Sequence, residues 1–164
     1  MDSVLPALLA VSVMLLTSLM LGRSSFTSFQ VLGDAWQDAE EQSVERVRSD
    51  ITITSATRSG ANVDVVIRND GATRVIDFSR MDVVVQYVSG GTPYLVWLPF
   101  TTDSPQPTKT WRVLSITNDA IDPGVLNTAE SMTIRIRLNP SPSAGTHWVQ
   151  VGTELGISAS SFFT

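Results

Sequence analysis

The chain has 164 residues, 16 acidic side chains against 11 basic ones, and a formal charge of −5. With no basic cluster it lacks the concentrated positive face that nucleic-acid binding needs. Cysteine is absent, so disulfides and thiolate metal sites are excluded as supports for the fold.

Residues 3–22 (SVLPALLAVSVMLLTSLMLG) carry no charge. As a helix rising about 1.5 Å per residue, a run of roughly twenty residues crosses a hydrocarbon core of about 30 Å. A cleaved secretory signal has a basic stretch before its apolar part and a small-x-small site after it. Here Asp2 precedes the run and Gly22-Arg23-Ser24-Ser25 follows it, so the segment reads as a membrane anchor or a self-packing helix. In residues 26–48, Phe29, Leu32, Trp36, Ala39, Ser43, Val44 and Val47 recur at helical spacings. Asp34, Asp38, Glu40, Glu41 and Glu45 occupy the other faces, and Arg46 and Arg48 stand near the C-terminal end, where cations suit the helix dipole. No proline separates the two runs, so one helix of about 70 Å is expected over 2–49. Pro6 sits in its first turns, while Gly22, Ser24, Ser25 and Gly33 are the places for a bend. Ala7, Ala10, Ser12, Thr17 and Ser18 suit close approach between helices.

After Asp50 the period changes from helical to alternating. Strands are expected at 51–54, 63–68, 81–89, 92–100, 111–117, 132–138, 146–151 and 157–163, separated by turns rich in Gly, Pro, Asn and Asp. The clearest alternation, MTIRIRL, sets Met132, Ile134, Ile136 and Leu138 against Thr133, Arg135 and Arg137. The fold class is therefore α+β: a long hydrophobic and amphipathic helix (1–49) followed by an Ig-like β-sandwich head (50–164).

Chemistry is sparse along the chain. His147, the single histidine, falls in an expected strand and reads as a partly exposed strand residue without ligand partners. Asn118, Asp119 and Asp122 bring oxygen ligands into one loop, but not at EF-hand spacing, and turns use the same residue types. Neither a nucleophile elbow, a phosphate-cradling loop nor a His-centred triad is present, so no catalytic residue and no cofactor are expected. Asn127 and Asn139 do not begin N-glycosylation sequons.

An uncharged run leading into an amphipathic helix and then a sandwich resembles the archaellins, the archaeal flagellins of the type IV pilin-like superfamily. In the head, ITITSATRSGANVDVVIRNDGATRVIDFSRMDVVVQY (51–87) is similar to the opening strands of archaellin and archaellum accessory domains. DPGVLNTAESMTIRIRL (122–138) and GTHWVQVGTELGISASSFF (145–163) resemble their later strands. Family precursors carry a short basic leader that is cut off; the chain looks like the processed subunit. Position 5, glutamate in many bacterial type IV pilins, is Leu5, which favours the archaellin side.

The resemblance implies a structural subunit of an extracellular archaellum filament, inserted in the membrane through its helix before assembly. Its partners are then copies of itself in a helical homopolymer, together with a separate membrane assembly platform and ATPase motor. Core packing falls to Val4, Leu5, Leu8, Leu9, Val11, Val13, Leu15, Leu16, Leu19, Leu21, Phe26, Phe29, Leu32 and Trp36. Arg23, at the end of the apolar run, is expected to pair with Asp34 or Asp38 of a neighbouring subunit or to snorkel to the membrane interface. The competing readings are an archaellum accessory or stator protein, an adhesive type IV-like pilin, and a membrane-anchored extracytoplasmic binding domain.

Overall fold

The computed structural model describes residues 9–17, 36–37, 40, 43–119 and 121–164. The chain divides into two units, Met1–Ser43 and Val44–Thr164. In the first, residues 9–17 are helical, and the Thr17 hydroxyl donates back to the carbonyls of Val13 and Met14 at 2.9 and 3.0 Å. Leu9, Val11, Val13, Leu15, Leu16 and Trp36 are all exposed in the single chain. Among the described residues no helix is long and apolar enough to cross a membrane. Of the helix expected over 2–49, the longest described stretches are 9–17 and 43–48. Val4, Leu5, Leu8, Leu19, Leu21, Phe26, Phe29 and Leu32, and the candidate ion pair of Arg23 with Asp34 or Asp38, lie outside the described residues.

The second unit contains eight strands: β1 (Ile51–Ser59), β2 (Asn62–Asn69), β3 (Asp82–Ser89), β4 (Thr92–Leu98), β5 (Thr110–Thr117), β6 (Ser131–Arg137), β7 (His147–Gly152) and β8 (Ser158–Phe163). They form two four-stranded sheets, in the orders β1-β2-β6-β5 and β4-β3-β7-β8, with every neighbour antiparallel. Read as letters, this is ABED facing C′CFG, the strand order of an immunoglobulin-type sandwich.

Alternation decides what goes inside. In the first sheet Val63, Val65 and Ile67 pair with Ile136, Ile134 and Met132, and all six are fully buried. Val83, Val85 and Tyr87 of β3, with Val149 and Val151 of β7, close the core from the second sheet. A slip of one residue in either sheet would turn this set outward, so burial of side chains at about 1.5–3 kcal/mol each fixes the register. Trp111 is fully buried against Phe100, ring centroids 4.8 Å apart, and its indole N–H has no partner among the described residues. An unpaired N–H costs about 1–3 kcal/mol, whereas burying roughly 200 Å² of indole gains about 5 kcal/mol. Burial wins.

Turn chemistry follows the strands. Gly90 and Gly91 join β3 to β4 with φ of 57° and 81°, the left-handed pair that a two-residue type I′ hairpin requires. Asn69, buried at the end of β2, donates to the carbonyls of Thr73 and Leu126 and accepts from the Gly71 N–H. This Asx turn presses residues 70–73 against the end of the 43–48 helix. Asp70 and Gly71 N–H groups bond to the Asp50 carbonyl, Ala72 N–H to Arg48, and the Thr73 hydroxyl to Glu45. The carbonyls of Glu45 and Arg48 in the last helical turn, which lack a following turn to bond, thereby gain partners. Approach is so close that a Cβ on Gly71 would lie 2.3 Å from the Asp50 nitrogen and 2.7 Å from the Arg48 oxygen.

Two predictions follow from this packing. Gly71→Ala must displace backbone, so it should cost roughly 2 kcal/mol or more, read as a lowered urea midpoint. The second concerns Tyr87, which is buried and stacked on Tyr94 at 5.1 Å. Burial, and after it the neighbouring Tyr94, raise its ionisation above the ordinary 10.0. A folded-state value above the unfolded one means that stability is complete below about pH 10 and falls as pH rises through the folded value. Tyr87→Phe should therefore remove part of the stability loss between pH 9 and pH 11 in urea titrations.

Candidate functional site

The two outward faces of the sandwich differ in kind. On β1-β2-β6-β5 the outward positions are mostly Thr, Ser, Asp, Asn and Arg, with Val66 among them, as expected of a solvated sheet face. On β4-β3-β7-β8 they are largely apolar. Residues Leu95, Gln86, Trp148 and Phe162 stand opposite one another across all four strands. The adjoining row runs Trp97, Val84, Gln150 and Ser160, and Pro93 faces Val88 on the other side. Leu95, Trp97 and Phe162 are 70%, 59% and 68% exposed.

Local sequence accounts for this face. Strand β3 reads DVVVQYVS and β4 reads TPYLVWL, so the outward positions flanking buried residues are Val84, Gln86 and Val88 in one, Pro93, Leu95 and Trp97 in the other. Pro93 lies on an edge strand, where a missing N–H breaks no ladder. The Trp97 indole N–H donates to Asp82 at 2.9 Å, which orients the ring along the sheet. Beside it an open recess of about 390 Å³ is lined by Asp82, Val84, Trp97, Gln150, Gly152 and Ser158. A smaller one, about 180 Å³, lies among Val88, Pro93, Thr146, Trp148 and Phe162. Flat, aromatic and nearly uncharged, the face has the composition of an interface core rather than of a free surface.

The residues singled out for chemistry serve structure. Asp119 accepts the Gly124 N–H at 3.1 Å with both carboxylate oxygens, and Asp122 pairs with Arg74 at 2.7 Å. Asn118 and Asp122 adopt left-handed φ of 64° and 50°, a conformation Asn and Asp tolerate. Among the described residues no three His, Asp or Glu side chains gather as a metal site. His147, expected to be partly exposed, is buried. Its parity in β7 is that of Val149 and Val151, which point inward. The ring sits between the Val88 N–H (3.4 Å from Nδ1) and the Ser143 carbonyl (2.9 Å from Nε2), and it packs against Phe163.

Leu95, Trp97, Trp148 and Phe162 were not singled out in the sequence. For Leu95 and Trp97 the signal lay in strand 93–98, PYLVWL, which lacks the polar alternates of a half-exposed strand.

No protein-family model matches the chain. An uncharacterized protein of Archaeoglobus fulgidus is 27% identical over 132 residues, covering 79% of this chain and 75% of the relative. The archaellum periplasmic stator protein complex FlaF and FlaG from Sulfolobus acidocaldarius superposes with a TM-score of 0.52 at 21% identity, over 70% of this chain and 88% of that one. The archaeal flagellin FlaB1 from Methanocaldococcus jannaschii does so with a TM-score of 0.52 at 15% identity, over 71% and 89%. The chain thus has the β-sandwich fold shared by archaellum stator proteins and archaeal flagellin.

Proposed function

We propose that the chain is a non-enzymatic archaellum component of the accessory, stator type, working outside the cytoplasm and docking to a partner through the outer face of β4-β3-β7-β8. One observation carries this reading: Leu95 and Phe162, both exposed, and the half-buried Trp148 stand in one row across the sheet, with the exposed Trp97 beside them. A face of this kind needs cover. The fold supports the archaellum context, and the partner inferred is a second extracytoplasmic protein of the same assembly, as FlaF and FlaG stand in one complex.

A second reading, the filament subunit polymerising through residues 1–49 with a head domain at 50–164, is favoured by a different observation. Leu9, Val11, Val13, Leu15 and Leu16 are exposed on the helical stretch of 9–17, and such a surface is buried equally well by lipid or by other helices.

Cells that express the protein separate the two. In the stator reading the chain stays with the cell envelope and is a minor component of sheared filaments; in the filament reading it is their bulk protein. Leu95→Asp and Phe162→Asp, both at exposed positions, should change stability by no more than about 0.5 kcal/mol and abolish swimming with filaments still present. Trp97→Ala should weaken capture of the partner by about 2 kcal/mol, roughly thirtyfold. Normal swimming in all three variants would rule out the docking face.

A further inference from the structure

The opposite sheet carries a second feature, and it is ionic. Strand register sets Arg112 of β5 directly across from Arg135 of β6, and Thr110 across from Arg137. Like charges facing each other across a ladder are destabilising, yet the outward positions bring three guanidinium groups together. Arg135 is answered by Asp64 of β2 through two bonds, Nε to Oδ1 at 2.7 Å and Nη2 to Oδ2 at 2.6 Å. Arg137 donates to the backbone carbonyl of Gln106. Arg112 has no hydrogen bond or ion pair among the described residues, and its Nε is covered by surrounding atoms without a partner. A buried, unpaired donor on a charged group costs more than the usual 1–3 kcal/mol or so of a neutral one.

The loop after β4 walls this site. Gln106, itself buried, donates through Nε2 to the carbonyls of Thr110 at 3.0 Å and Arg135 at 3.1 Å, which pins residues 104–106 over the end of the β5-β6 pair. Between this loop and the sheet lies an open recess of about 320 Å³ lined by Asn62, Pro105, Gln106, Arg112, Arg135 and Arg137. Three arginines line it, one of them engaged by Asp64, on a chain whose formal charge is −5. Lys109, the only lysine, is held beside it by a 2.7 Å bond from its N–H to the Arg137 carbonyl. Local charge therefore opposes the sign of the whole molecule.

We propose that this recess binds an oxyanion, a carboxylate or a tetrahedral sulfate or phosphate group, with Arg112 as the anchor and Arg137 beside it. Guanidinium forks match both shapes through paired N–H donors. Covering of Nε holds the Arg112 stem in place before a ligand arrives, so little side-chain freedom is lost on binding. The site lies on the sheet opposite the apolar face and does not depend on the docking reading.

The test uses the full chain in detergent, with the arginine Nε–H signals followed by NMR while sodium acetate, sulfate or phosphate replaces chloride at constant ionic strength. At least one probe should shift the Arg112 and Arg137 signals saturably and leave Arg74 unmoved. Saturation by acetate identifies a carboxylate site, and saturation by sulfate or phosphate a tetrahedral one; either supports the proposal. Arg112→Gln should weaken binding at least tenfold, and Arg137→Gln gives the same reading if the first variant fails to fold. Shifts that stay linear, or that Arg74 shares equally, would overturn the site.

Discussion

A two-layer sandwich has room inside for only one face of each sheet, and everything else about this molecule follows from that constraint. Val63, Val65, Ile67, Met132, Ile134 and Ile136 fill one inner face, and Val83, Val85, Tyr87, Val149 and Val151 the other. Their register is fixed because a shift of one residue would exchange inside for outside. Once the interior is full, the remaining apolar side chains have nowhere to go within the chain. Leu95, Trp97 and Phe162 are left on the surface, and their exposure is a statement about what lies next to the protein.

The same constraint makes the two outer faces chemically opposite. One presents aromatic and aliphatic groups, with the carboxylate of Asp82 engaged by Trp97. The other is built from hydroxyls and arginines, with the Asp64–Arg135 pair near its middle. Each carries a different kind of recognition: apolar area gives contact without direction, while forked guanidinium donors specify geometry.

The strand pattern was legible because alternation is a local property. All eight expected strands are present, with ends displaced by a few residues where bulges and turns intervene; the kinks at Ile53–Ser55 and Val113–Ser115 lengthen β1 and shift the faces of β5. Rows across a sheet are not local. That Trp148 meets Phe162, or that Arg112 meets Arg135, depends on strand order and register, which no single strand contains. His147 is an instructive middle case, since its parity with Val149 and Val151 was readable and its polar character argued the other way. Two hydrogen bonds in the structure, one from Val88 on the neighbouring strand and one to Ser143, are what make its burial tolerable. The carboxylates of the 118–124 loop look like ligands in a sequence because turns and metal sites draw on one set of residue types.

The contact around Gly71 has a mechanical meaning. Residues 43–48 join the sandwich at the start of β1, where four donors from 70–73 grip the backbone. Strand β1 is then held to β2 along eight paired positions. A pull along the axis of β1 loads those hydrogen bonds together, as a lap joint carries shear, whereas a pull across it would peel them one at a time. With Gly71 wedged beneath, the first residues cannot swing outward to begin the peel without breaking the clasp. The sandwich is therefore fastened where the chain enters β1, and it resists a pull along that strand better than a pull across it.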